Sequence, residues 1–132
     1  AAGALNYRTQ SDVAAQVKAL TGGRGVDIAF DTVGAPSLPL SIAALRRGGR
    51  MVTCGVTGGR EGALNLQQLY WNHLSLLGST MGAPEDHRRL LRLAGSARLK
   101  PVVDRVFPFA DCREATARME AGEQFGKIVL EF

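Results

Sequence analysis

Long apolar runs are missing from this sequence. Its apolar stretches are short, so no segment is expected to span a membrane. No leader of the secretory type precedes the first strand-like segment, so a cytoplasmic location is expected. Charged residues make up 21%, below the usual quarter, yet no segment has a disordered composition. Only Cys54 and Cys112 carry thiols, far apart in sequence. One disulfide between them stays open as a reading, but two thiols in an α/β protein more often stay reduced in a cytosol. There is no Cys-x-x-Cys, and His73 and His87 stand alone, so no metal site is expected within the chain. The net charge of +4 and pI near 9.6 come from dispersed arginines without aromatic interleaving. Nucleic-acid binding therefore has no module behind it.

What is present is alternation. At 132 residues with 45% apolar content, the chain suits one ordinary domain and its core. Ala4–Tyr7 is a strand candidate. Ser11 is the expected cap of a helix bearing Val13, Val17 and Leu20 on one face. The glycines of Thr21–Gly25 stop it. Val26–Val33 is apolar on both faces apart from its acids, which fits a strand covered on both sides. A helix is expected over Pro36–Arg47, ended by Gly48 and Gly49, then a strand over Arg50–Cys54. The glycine-rich loop Gly55–Gly62 leads to a short helix or turn at Leu64–Trp71 and a strand at Leu74–Ser79. Pro84 opens a helix running to Leu99, with Arg88, Arg89 and Arg92 pairing to Glu85 on a solvated face.

Strand–helix–strand repetition at this spacing implies right-handed parallel crossovers. The rhythm changes at Pro101. A strand at Val102–Phe107, a helix capped by Asp111 and ending at Ala121, and a strand at Lys127–Phe132 would form a small β–α–β element. The fold class expected is α/β. It consists of a parallel α/β part over residues 1–99 and a C-terminal β–α–β segment over 100–132.

Five pieces occur in a telling order. They are LTGGRGVDIAFDTVG (Leu20–Gly34), LRRGGRMVTCGVTGG (Leu45–Gly59), LYWNHLSLLGSTMG (Leu69–Gly82), LKPVVDRVFPF (Leu99–Phe109) and FGKIVL (Phe125–Leu130). Together they resemble the medium-chain dehydrogenase/reductase superfamily, on its zinc-type alcohol dehydrogenase and quinone oxidoreductase side. The resemblance covers essentially the whole chain. It implies a hydride-transferring oxidoreductase acting on an alcohol or carbonyl, a quinone or an activated alkene. It implies NAD(P) as cofactor, NADP slightly favoured, and a small-molecule substrate. It also implies that residues 1–99 are a partial Rossmann domain, its later half, and that residues 100–132 return to the catalytic domain. The family's glycine turn of G-x-G-x-x-G type is not among these residues. Together with the immediate start of structured sequence at Ala1, without an initiator Met, this reads as a C-terminal fragment. Any zinc would be held only by the missing N-terminal part.

Under the resemblance the cofactor-binding candidates are strand ends. Asp31, Thr32, Val33 and Gly34 end one strand where ligands of open α/β sheets bind, although an ordinary turn fits the same residues. Cys54, Gly55 and Val56 end the next, beside the nicotinamide ribose in the family. Cys54 itself suits a packing role, because no base is placed near it. The Gly55–Gly62 loop opens no helix at once, so it is a poor phosphate cradle. Gly78, Ser79 and Thr80 would meet the nicotinamide carboxamide through main-chain groups, or act as a local cap. Tyr7 and Arg8 could face the adenosine 2′-phosphate, the arginine through its planar fork, or form only a surface pair. Lys127 could reach the cofactor cleft, or be a solvated strand-edge lysine. No catalytic residue is assigned.

The apolar Leu74–Ser79 strand lacks a Lys or Pro guard, so a homodimer through Leu74–Thr80 is expected. The strand order of the resembling fold leaves Ala4–Tyr7 without a neighbour and Val26–Val33 with an open flank. The start should then be loosely ordered, or repaired by another chain. The fragment alone is expected to be inactive. A non-catalytic dimerising scaffold is the alternative, and the enoyl-reductase module of a larger synthase is a third reading.

Overall fold

A computed structural model of the chain describes residues 3–96 and 99–132. It divides into two compact units, Ala1–Met81 and Gly82–Phe132.

In the first unit, Asp12 takes a left-handed backbone (φ 48°) and its carboxylate accepts the Ala15 N–H at 3.0 Å. It caps α1 (Val13–Leu20). The cap expected at Ser11 thus moves one residue on, to the side chain that reaches the free amide. The strand expected at Ala4–Tyr7 is absent. Asn6 instead closes a turn, accepting Arg8 N on its side chain at 2.9 Å and Gln10 N on its carbonyl at 3.0 Å. An extended segment without a ladder partner loses to such a local bond.

The chain continues through β1 (Val26–Asp31), α2 (Leu38–Ala44), β2 (Leu45–Thr53), α3 (Leu66–Trp71) and β3 (Ser75–Gly78). The strands lie in the order β1-β2-β3 and all pairings are parallel. The helix expected to reach Arg47 ends at Ala44. Leu45 is already extended and pairs with Val26, so the ladder overrides the helical period. Ile42, Leu45 and Met51 form the core, with Val26, Ala29, Leu38, Leu64 and Leu74 packed on it. From Ile28 onward, past an irregularity between Val26 and Ile28, β1 obeys the alternation of a strand. Ala29 turns to the core and Asp31 is buried, while Ile28 and Phe30 are 61% and 68% exposed. The expectation that β1 is covered on both faces is therefore corrected, since α2 packs on its other side.

In the second unit, α4 (Pro84–Gly95) begins with Pro at its first turn. Glu85 accepts from Arg88 and Arg92, each at 3.1 Å, and sits 3.5 Å from Arg89. The helix stops short of the expected Leu99, and residues 97–98 lie outside those described. β4 (Val103–Pro108), a 3-10 turn (Phe109–Asp111), α5 (Cys112–Glu120) and β5 (Lys127–Glu131) form a parallel β–α–β element around buried Phe107 and Ala115. Asp111 stands at the N-cap of α5, but its side chain makes no capping bond, contrary to expectation. The preceding 3-10 turn hands Cys112 N to Phe109 O instead.

Candidate functional site

The three parallel strands finish level. Asp31 pairs with Thr53 and Thr53 with Gly78. The ladder then runs one step past the strand ends, with Cys54 N donating to Asp31 O at 3.0 Å and Ser79 N to Thr53 O at 2.9 Å. One rim thus gathers Asp31–Gly34, Cys54–Val56 and Gly78–Thr80. A groove of about 420 Å³ along it is lined by Thr53, Cys54, Gly55, Val56, Gly78, Ser79 and Thr80.

Asp31 explains the first of these turns. It is 4% exposed. Its Oδ1 accepts Val33 N at 2.9 Å and Gly34 N at 2.8 Å, and its Oδ2 accepts the Ser41 hydroxyl at 2.7 Å. Burial pushes its carboxyl up. The Ser37 and Ser41 hydroxyls with the two amides outweigh that and hold it below the ordinary aspartate value. The Ser37 hydroxyl itself donates to Gly34 O at 3.0 Å. The side chain of Asp31 therefore shapes the turn from inside, while Thr32 and Val33 stay exposed.

The glycine-rich loop has a use unlike a phosphate cradle. It lies against the Asp31 turn, with Gly58 N donating to Val33 O at 2.8 Å and Ala35 N to Gly59 O at 3.0 Å. Gly34 has φ +94°, and a Cβ there would collide with the Gly59 carbonyl oxygen. The glycines let two loops close on each other. Thr57 reinforces the contact, its hydroxyl donating to Thr32 O at 3.3 Å.

The other candidates are not brought to this groove. Tyr7 and Arg8 occupy the exposed turn after Asn6, with the guanidinium carbon 6.0 Å from the Tyr7 ring centre, and neither lines the groove. Lys127 starts β5 in the second unit, opposite Val103. Sequence reasoning missed Ser37 and Ser41, whose i,i+4 spacing at the start of α2 was the available signal. It also missed Arg60, which sits inside the glycine run and lines a smaller hollow beside the groove.

A dinucleotide can be tested against these residues. The groove has room for a ring, since nothing lies within 4 Å of where a Gly78 Cβ would be. Cys54–Val56 and Gly78–Thr80 form its wall, with the Cys54 and Ser79 amides bonded to the neighbouring strand. These residues fit the nicotinamide end. Among the described residues no glycine turn opens a helix as a pyrophosphate site, and no group of three His, Cys, Asp or Glu side chains is placed to hold a metal ion. No helix is long and apolar enough to cross a membrane.

A level parallel rim of this kind is what the strand ends of a Rossmann-type sheet form. Comparison with known proteins agrees. Residues 1–130 match the family model described as zinc-binding dehydrogenase. An NAD-dependent alcohol dehydrogenase of Sulfolobus acidocaldarius is 28% identical over 96% of this chain and 37% of its own length. A probable quinone oxidoreductase of Schizosaccharomyces pombe is 31% identical over 90% of this chain and 39% of its own. A crystal structure of an NAD-dependent alcohol dehydrogenase superposes with a TM-score of 0.85 at 37% identity, over 97% of this chain and 37% of that one. The chain belongs to the zinc-binding dehydrogenase family of the medium-chain dehydrogenase/reductase superfamily. It spans a little over a third of the length of the curated relatives named here.

Proposed function

We infer that this chain forms the nicotinamide-side rim of an NAD(P)-dependent oxidoreductase, which moves hydride to or from an alcohol or carbonyl, a quinone or an activated alkene. The observation that carries this reading is the level ending of β1, β2 and β3 around one groove. When bound, the nicotinamide ring supplies the carbon that gives or takes the hydride. The chain's part is to hold the ring. The main chain of Gly78–Thr80 meets the carboxamide, Cys54–Val56 flanks the ribose, and Asp31 keeps the Thr32–Gly34 turn rigid from beneath. Both NAD and NADP occur in the names of relatives, including a D-arabinose 1-dehydrogenase (NADP(+)) of Saccharolobus solfataricus. Tyr7 and Arg8 favour NADP slightly, through the arginine's match to a phosphate.

In this reading residues 1–99 are the later Rossmann part and 100–132 the segment that returns to the catalytic domain. Zinc, where the whole protein uses it, is held by residues other than these. A homodimer through Leu74–Thr80 is supported by β3 being the last strand of its sheet, with exposed Leu76 and Leu77 and no Lys or Pro guard. The setting proposed is the cytoplasm. With no pyrophosphate cradle among its residues, the 132-residue chain alone binds dinucleotide weakly and turns nothing over. Calorimetry with NADPH and NADH checks that part, and micromolar binding would refute it. The rim assignment is read by NMR with millimolar nicotinamide mononucleotide. The amides of Gly55, Val56, Ser79 and Thr80 should shift together, and shifts confined to other residues would end the reading.

A further inference from the structure

Next to the rim groove, and sharing Thr53 and Val56 with it, lies a hollow of about 210 Å³. Leu38, Met51, Val56 and Leu76 supply apolar walls, Gly34 an edge, and Arg60 the one charged side chain of the lining. Glu61 follows Arg60 in sequence but is not part of the lining. Among the described residues Arg60 meets no carboxylate, as is true of Arg8, Arg47, Arg50 and Arg113, but of these five only Arg60 lines the hollow. Its loop is nevertheless anchored, because Gly58 and Gly59 on its N-terminal side bond to Val33 and Ala35. Arg60, without a carboxylate partner, therefore stands on a fixed base in the lining of an apolar hollow.

The chemistry of the lining selects an occupant. A planar guanidinium fork matches a carboxylate bidentately. The walls match an alkyl chain of a few carbons, since the hollow is smaller than the usual drug-sized pocket. Free phosphate would satisfy the fork and leave the walls bare. A neutral alkyl amide would fill the walls and leave the cation unmatched. We propose that this hollow binds a short aliphatic carboxylate, with its chain against Leu38, Met51 and Leu76 and its carboxylate on Arg60. The site needs no dinucleotide, so it stands apart from the oxidoreductase reading.

The test is an NMR titration of the whole 132-residue chain with hexanoate, hexanamide and inorganic phosphate. Hexanoate should shift the Gly34, Val56 and Gly62 amides saturably. Hexanamide and phosphate should each bind about tenfold more weakly or worse, the scale of one charge-assisted contact. Arg60→Gln, an exposed position, should weaken hexanoate about tenfold and leave hexanamide unchanged. Equal binding of hexanoate and hexanamide overturns the proposal. So does phosphate binding as tightly as hexanoate, an unaltered Arg60→Gln variant, or the absence of saturable shifts. The nicotinamide titration reads Ser79 and Thr80 and this one reads Gly34 and Gly62, so either reading can fail without the other.

Discussion

Each unit of the molecule uses one aspartate to hold a neighbouring turn, and the two do it by different physics. Asp31 is buried at the end of β1 and accepts only from amides and hydroxyls. Asp104, near the start of β4, takes Arg118 Nε at 2.7 Å and Nη2 at 3.0 Å, with Phe125 N at 3.1 Å. Arg118 beside it, then the Phe125 amide, hold the Asp104 carboxyl down at about 2. A fork of opposite charge braces the β–α–β element, whereas a nest of neutral dipoles braces the rim. The neutral nest consumes no cation. This is consistent with an arginine, Arg60, being left over beside the rim.

The largest effect that could break this contrast is at Gly34. Gly34→Ala forces a side chain at φ +94° into the Gly59 carbonyl and pries the two loops apart. It should cost about 3 kcal/mol or more, measured by urea unfolding followed through Trp71 fluorescence. A loss below about 1 kcal/mol would mean the loops do not depend on that contact. Next comes Asp31→Ala, which leaves Val33 N, Gly34 N and the Ser41 hydroxyl without their acceptor. About 2–3 kcal/mol of stability should be lost, while the amide spectrum of the second unit stays in place.

Acid sharpens the comparison. Both carboxyls are lowered in the folded protein, so the unfolded chain binds their protons more tightly. Their stabilisation is whole above the ordinary aspartate value, about 3.9. It drains as pH falls below that value, for Asp104 down to about 2. Amide signals of Phe107 and Ala115 followed from neutral pH to acid should report the second unit's loss, and Asp104→Asn should flatten it. Molar salt should weaken the Asp104 pair and leave the Asp31 nest alone. The smallest effect belongs to Gly78→Ala. A Cβ there meets nothing within 4 Å, so stability should change by no more than about 0.5 kcal/mol. The methyl would intrude on the groove, so shifts induced by nicotinamide mononucleotide should shrink.

Much of the rim was legible before any coordinates. Asp31, Cys54 and Gly78 were placed at strand ends because apolar runs of four to eight residues bounded by glycine mark buried strands. Parallel pairing followed from helices between them. The role of Asp31 was not legible, because its partner Ser41 lies ten residues on and meets it only once α2 has packed. The end of α2 misled for a related reason. Leu45 to Arg47 continues a helical pattern, and only the pairing of Leu45 with Val26 pulls it straight. Ala4–Tyr7 failed in the opposite sense, being strand-like in composition but next to no strand.

By itself the sequence determined the alternation of helices and strands, and with it the direction of the sheet. Those depend on periods of two and 3.6 residues, which are local. Tertiary structure alone decided which carboxylate turns inward, where the glycine-rich loop comes to rest, and that Arg60 lines a hollow. Each of these depends on groups distant in sequence meeting within about 3 Å, and no local pattern records such a meeting.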